Sequence, residues 1–124
     1  MKIIILLSSF FLFFTCNKSA IQADQGQCIK GKLLIKGICM NYVIQVVDGN
    51  MGAHNVANVW KHPETGVEYT NVFALDNKCN FPSTIKEGDE FYFKVPAHPI
   101  ENDCAVCKAY SPVPPESLFI EVCP

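Results

Sequence analysis

The closest pair of reactive side chains in this sequence is Cys104-Ala105-Val106-Cys107. Two thiols at that spacing admit three chemistries. A thiol-disulfide redox pair needs one thiol with a lowered pKa, normally provided by a helix N-terminus in a βαβ setting, whereas this motif sits in a proline-rich stretch. A metal knuckle needs two more ligands. Cys79, His62 or His98 would have to provide them, and no second spaced pair exists. Structural cysteines need neither a helix nor further ligands. The residues favour this third reading, with metal binding or thiol redox chemistry at Cys104 and Cys107 as the alternative.

The other chemistry-bearing residues are scattered. His54, His62 and His98 lie far apart, the last two each directly before a proline, and are expected to be solvated loop residues rather than a shared metal site. Glu87, Asp89 and Glu90 cluster ahead of a strand-like run. An acid-base pair or a calcium site uses such residues, but a charged strand entry explains them with less. The chain contains no Gly-x-Ser-x-Gly, no P-loop and no His-Glu-x-x-His. Neither catalysis nor a cofactor is expected. Trp60 and Tyr69 flank a turn and are expected to face each other across a hairpin. With His62 and Tyr110 they are the candidate binding face, since aromatic side chains are favoured interface anchors, although aromatic residues also fill ordinary β cores.

Cysteine count constrains the compartment. The chain of 124 residues has seven cysteines. Setting Cys16 aside leaves Cys28, Cys39, Cys79, Cys104, Cys107 and Cys123, an even set that reads as a disulfide framework in a small exported domain. Spacing alone does not choose among the pairings. Charge excludes one partner class. Of ten Lys and Arg residues all are Lys, against twelve Asp and Glu. With no Arg fork and no basic stripe, nucleic acid is not an expected partner.

The cysteines must be positioned by what surrounds them. Residues 1–15 read as a signal peptide: Lys2, then an apolar run from Ile3 to Phe14. The run is shorter than the roughly 20 residues that a membrane span needs. Two ends of the signal compete. Cys16, directly after the run and followed by polar Asn17-Lys18-Ser19, is placed for lipid attachment. Cleavage after Ala23 is the alternative. Residues 16–27 then form a flexible tether carrying the lipid-attachment cysteine, and 28–124 a single domain.

That domain reads as β throughout. Runs at 28–36 and 38–47 are interrupted at Gly37, and a hairpin spans 56–75 around the turn His62-Pro63-Glu64-Thr65-Gly66. Residues 76–88 form a loop. Residues 89–95 are the clearest strand, with Phe91, Phe93 and Val95 on one face and Glu90, Tyr92 and Lys94 on the other. Residues 97–116 are irregular, and 117–123 close the chain with Leu118, Ile120 and Val122 on one face. No helix of useful length is expected. The fold class is all-β: a small, disulfide-braced barrel or sandwich, OB-like among the options, of about five to seven short strands.

The run Gly37 to Val46, the segment Asn71-Val72-Phe73-Ala74-Leu75, the stretch Ile85 to Phe93 and the leader ending Phe14-Thr15-Cys16-Asn17-Lys18 resemble small uncharacterised lipoproteins of Bacteroidota-type bacteria. The resemblance covers most of the chain as a pattern of strands. It implies an envelope lipoprotein with a small β-barrel and carries no active site with it. The function expected is therefore a non-enzymatic binding or structural role at the cell envelope. The protein would be held to a membrane through Cys16 and would meet another envelope protein or ligand through its loops. A freely secreted, disulfide-rich inhibitor-like domain is the further alternative.

Overall fold

A computed structural model describes residues 26–124. The expected signal segment, the lipid attachment at Cys16 and most of the tether lie outside the described residues. Seven strands form one sheet: β1 Ile29–Lys36, β2 Tyr42–Asp48, β3 Ala57–Lys61, β4 Glu68–Leu75, β5 Glu90–Lys94, β6 Ser117–Leu118 and β7 Glu121–Val122. Among the described residues, helix is limited to two short 3-10 turns, Ile38–Met40 and Lys78–Asn80. The all-β, disulfide-braced expectation holds.

Strand order is β3-β4-β2-β1-β5-β7, with β6 on β4. All pairs are antiparallel except β4 with β6, which is parallel. The six-residue segment 117–122 thus pairs with two strands that are not neighbours of each other in the sheet. Its β6 half lies along β4, and its β7 half lies along β5. The barrel is not closed, because no ladder runs through Phe119 and Ile120. With β3 set aside, the pairing runs β1-β2-β4-β6/β7-β5 and back to β1. That is the connectivity of a partly open, five-stranded OB-type barrel, with an extra hairpin strand between its second and third strands.

Alternation explains the interior. On β1, Ile29, Gly31 and Leu33 point inward while Lys30 and Lys32 point out. On β5, Phe91 and Phe93 are buried and Tyr92 is exposed, as their alternation predicts. The main core gathers Ile29, Leu33, Ile44, Phe73, Leu75, Phe81, Phe91, Phe93 and Ile120. Leu118 and Val122 pack against it, so the expected inward face of the closing segment is present. Gly31 is buried because the Phe93 ring lies over it. A Cβ there would come within 2.8 Å of a Phe93 ring carbon.

A second, smaller cluster occupies the outer face of the sheet. Val43, Ala57 and Val72 are buried there, with Leu34, Ile35, Trp60, Tyr69 and Val113 packed around them. A register shift between Leu33 and Ile35 lets β1 serve both faces. Val113 belongs to the proline-rich segment, so the 111–114 part of that irregular stretch packs onto the β2–β4 face, while most of 101–110 is exposed.

One strand boundary differs from the sequence expectation. The run 38–47 is strand only from Tyr42. Cys39 and Met40 each have φ of 55°, in the left-handed region. Non-glycine residues there cost about 1–2 kcal/mol each, and the chain turns before β2 starts.

Candidate functional site

Three disulfides brace the domain: Cys28–Cys123, Cys39–Cys107 and Cys79–Cys104. Their Cα atoms lie 6.5, 5.2 and 5.6 Å apart, within the range a bridge requires. The six cysteines expected to pair do so among themselves. Three such bridges in a domain of this size point to an oxidising, extracytoplasmic compartment. Among the described residues no helix is long and apolar enough to cross a membrane.

Cys104 and Cys107 are not bridged to each other. Each fastens the proline-rich segment to a different place, Cys104 to the 3-10 turn after β4 and Cys107 to the β1–β2 connection. In this arrangement both sulfurs of the Cys-x-x-Cys motif are already bonded, and the motif acts as a double clamp. Hydrogen bonds reinforce the first attachment. The Cys79 backbone N–H donates to Asn102 Oδ1 at 3.1 Å, and Asn102 Nδ2 donates to the Asp76 carbonyl at 2.9 Å. At the second attachment Asn41 Nδ2 donates to the Ile38 carbonyl at 3.0 Å and to the Ala109 carbonyl at 3.3 Å, while Lys78 Nζ donates to Asn41 Oδ1 at 2.7 Å. Gly37 permits the close approach. A Cβ on it would lie 2.5 Å from Ser111 Oγ and 2.6 Å from the Asn41 carbonyl oxygen.

The clamped loops enclose an open hollow of about 440 Å³, lined by Asn41, Lys78, Val106, Cys107, Lys108, Ala109, Tyr110 and Ser111. Tyr110 is 75% exposed at its rim, and Ile38 is 63% exposed on the facing loop. Two ammonium groups, an aromatic ring and an amide therefore share one concave surface, and the cationic pair gives it a positive lining. In an OB-type barrel the β1–β2 connection and the connection between the last two strands are the loops that border the ligand-binding face. Here those positions are held by residues 37–41 and 96–116, the two loops that Cys39–Cys107 joins.

The four candidate binding-face residues divide. Trp60 and Tyr69 are cross-strand partners in the β3–β4 pair, with rings stacked at 5.9 Å, and Trp60 meets His62 edge-on at 5.4 Å. All three pack at the turn end of the hairpin. Tyr110 is not with them and lines the hollow. His62 is buried, which corrects the expectation of a solvated loop histidine. Its Nδ1 accepts hydrogen bonds from the backbone N–H of Glu64 at 3.2 Å and of Thr65 at 3.3 Å. The His62 backbone N–H donates to the Val67 carbonyl at 2.8 Å. The imidazole organises the 62–66 turn from within.

The acidic group ahead of β5 serves three separate contacts. Glu87 Oε2 accepts from the Lys36 backbone N–H at 2.8 Å, Asp89 Oδ2 accepts from the Lys86 backbone N–H at 2.9 Å, and Glu90 pairs with Lys30 at 2.7 Å. Lys30 holds the Glu90 carboxyl below the ordinary carboxylate range, first through the hydrogen bond and then through its charge, and the Lys30 ammonium is raised by the same contacts. Among the described residues no three His, Cys, Asp or Glu side chains converge as a metal site would require.

The residue that sequence reading passed over is Asn77. It is 1% exposed and bonds both backbone groups of Ile120. It stands in what reads as a polar loop, and nothing in its neighbours signals burial. No family model, no curated protein and no solved structure matches the chain.

Proposed function

We propose that this protein is an exported, lipid-anchored envelope protein that works by binding, without catalysis, through the hollow between residues 37–41 and 96–116. The observation that carries the reading is the exposure of Tyr110 and Ile38 on two loops that a disulfide locks together. Exposed apolar side chains held rigid lose little conformational freedom on binding. Lys78 and Lys108 favour a partner with an anionic group, and Tyr110 offers a flat apolar surface for stacking. The OB-type position of these loops supports the same reading by analogy of fold alone.

The anchor rests on the leader. The six described cysteines satisfy one another, so the framework does not need Cys16, and its place after the apolar run suits lipid attachment. Intact-mass analysis of protein extracted from membranes tests this. Acyl mass on a chain beginning at Cys16 is expected, and a chain that begins near residue 24 without acyl mass overturns the anchor. Binding is tested by screening immobilised anionic glycans and acidic peptides. A signal lost in both Tyr110→Ala and Lys108→Gln is expected. A signal indifferent to both substitutions, or none from any anionic probe, overturns this use of the hollow.

A further inference from the structure

We propose that Cys39–Cys107 is a thiol-exchange site, opened by a small anionic thiol that enters the hollow beside Cys107. The three bridges of the domain differ in their surroundings, and this one alone combines access, positive charge and strained backbone.

Cys28–Cys123 joins the entry of β1 to the exit of β7. The Cys123 N–H is tied to the Tyr92 carbonyl at 2.8 Å. The cation nearby, Lys94, is already paired with Glu121 at 3.4 Å. Cys79–Cys104 is held by the Asn102 contact, and the Cys104 N–H points at Cys79 Sγ at 3.2 Å. Lys78 adjoins Cys79 in sequence, but its ammonium reaches Asn41 and lines the hollow at Cys107. Cys28, Cys104 and Cys107 are all exposed, and hollows of similar size adjoin Cys28–Cys123 and Cys107, but only the one at Cys107 has two lysines in its lining. Lys108 lines that hollow. So does Lys78, whose ammonium is hydrogen-bonded to the neutral Asn41 amide and keeps its charge uncompensated.

Access sets the direction of attack. Cys107 is exposed and lines the hollow, whereas Cys39 is half-buried and does not line it. A thiolate attacks a disulfide sulfur in line with the S–S bond, so one held in the hollow meets Cys107 Sγ, and Cys39 is the leaving group. The incoming thiolate forms a bond to Cys107 Sγ as the Cys39–Cys107 bond breaks, and the electron pair stays on Cys39. A second molecule of the small thiol then attacks the mixed disulfide at its own sulfur. Cys107 is released as a thiolate, which its cationic neighbours stabilise, and the small thiol leaves as its disulfide. Two electrons pass from two small thiols to the bridge. Opening also frees Cys39 and Met40 from their left-handed conformation, in which each sits at φ of 55°. Strain of that kind is present in the bridged state and relieved in the opened one.

The consequence is a reversible uncoupling of the two loops around the hollow, with the other two bridges intact. This proposal concerns the same hollow as the binding reading but does not depend on a stable ligand there.

The test uses the full chain and reduced glutathione as the anionic thiol, with time points trapped by alkylation and mapped by mass spectrometry. Cys39 and Cys107 are expected to be alkylated about tenfold faster than the other four cysteines, with glutathione recovered on Cys107. The double variant Lys78→Gln, Lys108→Gln is expected to slow the reaction several-fold with glutathione and to change it little with neutral 2-mercaptoethanol. Earlier labelling of Cys79 and Cys104, or of Cys28 and Cys123, overturns the proposal, as does simultaneous opening of all three bridges. Equal slowing with both thiols overturns the role of the lysines. Loss of binding by the hollow is read separately, so failure of either proposal is distinguishable from failure of the other.

Discussion

The side-chain amide of Asn77 stands in for a neighbouring strand at Ile120. Its Oδ1 accepts the Ile120 backbone N–H at 2.8 Å, and its Nδ2 donates to the Ile120 carbonyl at 2.7 Å. These are the two hydrogen bonds that a ladder partner would make. Ile120 lies between β6 and β7, where the closing segment leaves β4 and crosses to β5. Without a partner its backbone groups would be buried unpaired, which proteins rarely tolerate. The amide therefore lets a broken strand pass through the domain with the Ile120 side chain in the main core.

Replacing Asn77 by Ala leaves both backbone groups of Ile120 without partners and removes two buried hydrogen bonds. Unpaired buried groups cost about 1–3 kcal/mol each. Asn77→Ala is expected to lose about 2–4 kcal/mol of stability and to lower Tm by roughly 10 °C or more. Thermal unfolding followed by circular dichroism under oxidising conditions checks this. A Tm within about 2 °C of the parent would mean that water replaces the amide and the clamp is dispensable.

How much of this was legible beforehand follows from what local pattern can carry. The β5 alternation of Phe91 and Phe93 against Tyr92 and Lys94 is a period-two signal and is readable directly. So is the Trp60–Tyr69 pairing across a turn marked by Pro63 and Gly66. Asn77 was not readable, because its partner lies 43 residues away and its own neighbours form a polar loop. The break of the 38–47 run at Cys39 and Met40 was hidden for a related reason. Their residue types favour strand, and the left-handed turn is imposed where a bridge to Cys107 and the packing of Ser111 on Gly37 draw the loop inward. The hollow is the most non-local feature of all. It is built from two loops 68 residues apart at their disulfide; Tyr110 stands out as a binding-face candidate, but nothing local to either loop shows the hollow that it lines.

Gly31 and Phe93 make a test of the main core. The Cβ of Gly31→Ala would lie 2.8 Å from Phe93 Cε1 and 3.0 Å from Cδ1, and Phe93 is fully buried. The ring has little freedom to retreat, so overpacking of about 1–3 kcal/mol is expected. Chemical denaturation should show a lower midpoint with an unchanged slope. Adding Phe93→Leu to Gly31→Ala should cost less than the sum of the two single changes, because the smaller side chain makes room for the methyl group. Strict additivity would refute the contact.

His62 tests the turn. His62→Phe keeps an aromatic ring against Trp60 but removes the Nδ1 acceptor that holds the Glu64 and Thr65 N–H groups. The expected loss is about 1–2 kcal/mol. The change is also visible locally. Trp60 is the sole tryptophan of the chain, so its emission reports on this end of the hairpin. Faster acrylamide quenching of Trp60 in His62→Phe, with the far-ultraviolet dichroism unchanged, is the expected signature. Unaltered quenching would mean that Pro63 and Gly66 hold the turn without the imidazole.

The Lys30–Glu90 pair sets a pH dependence whose sign follows from the direction of each shift. Glu90 has a lower pKa folded than unfolded. Its contribution is fully present above the ordinary carboxylate value and is lost as pH falls through the depressed folded value. Lys30 has a raised pKa. Its contribution is present below the ordinary lysine value and is lost as pH rises through the raised one. The pair therefore supports the fold across the neutral range and fails at both extremes. Both side chains are solvent-accessible, so the effect is small and screened by salt. In low salt at neutral pH, Glu90→Gln is expected to melt slightly below the parent. The difference should vanish below the carboxylate range and shrink in molar salt. A gap that persists unchanged in strong acid would trace it to packing of the Glu90 side chain and remove the ion pair as its cause.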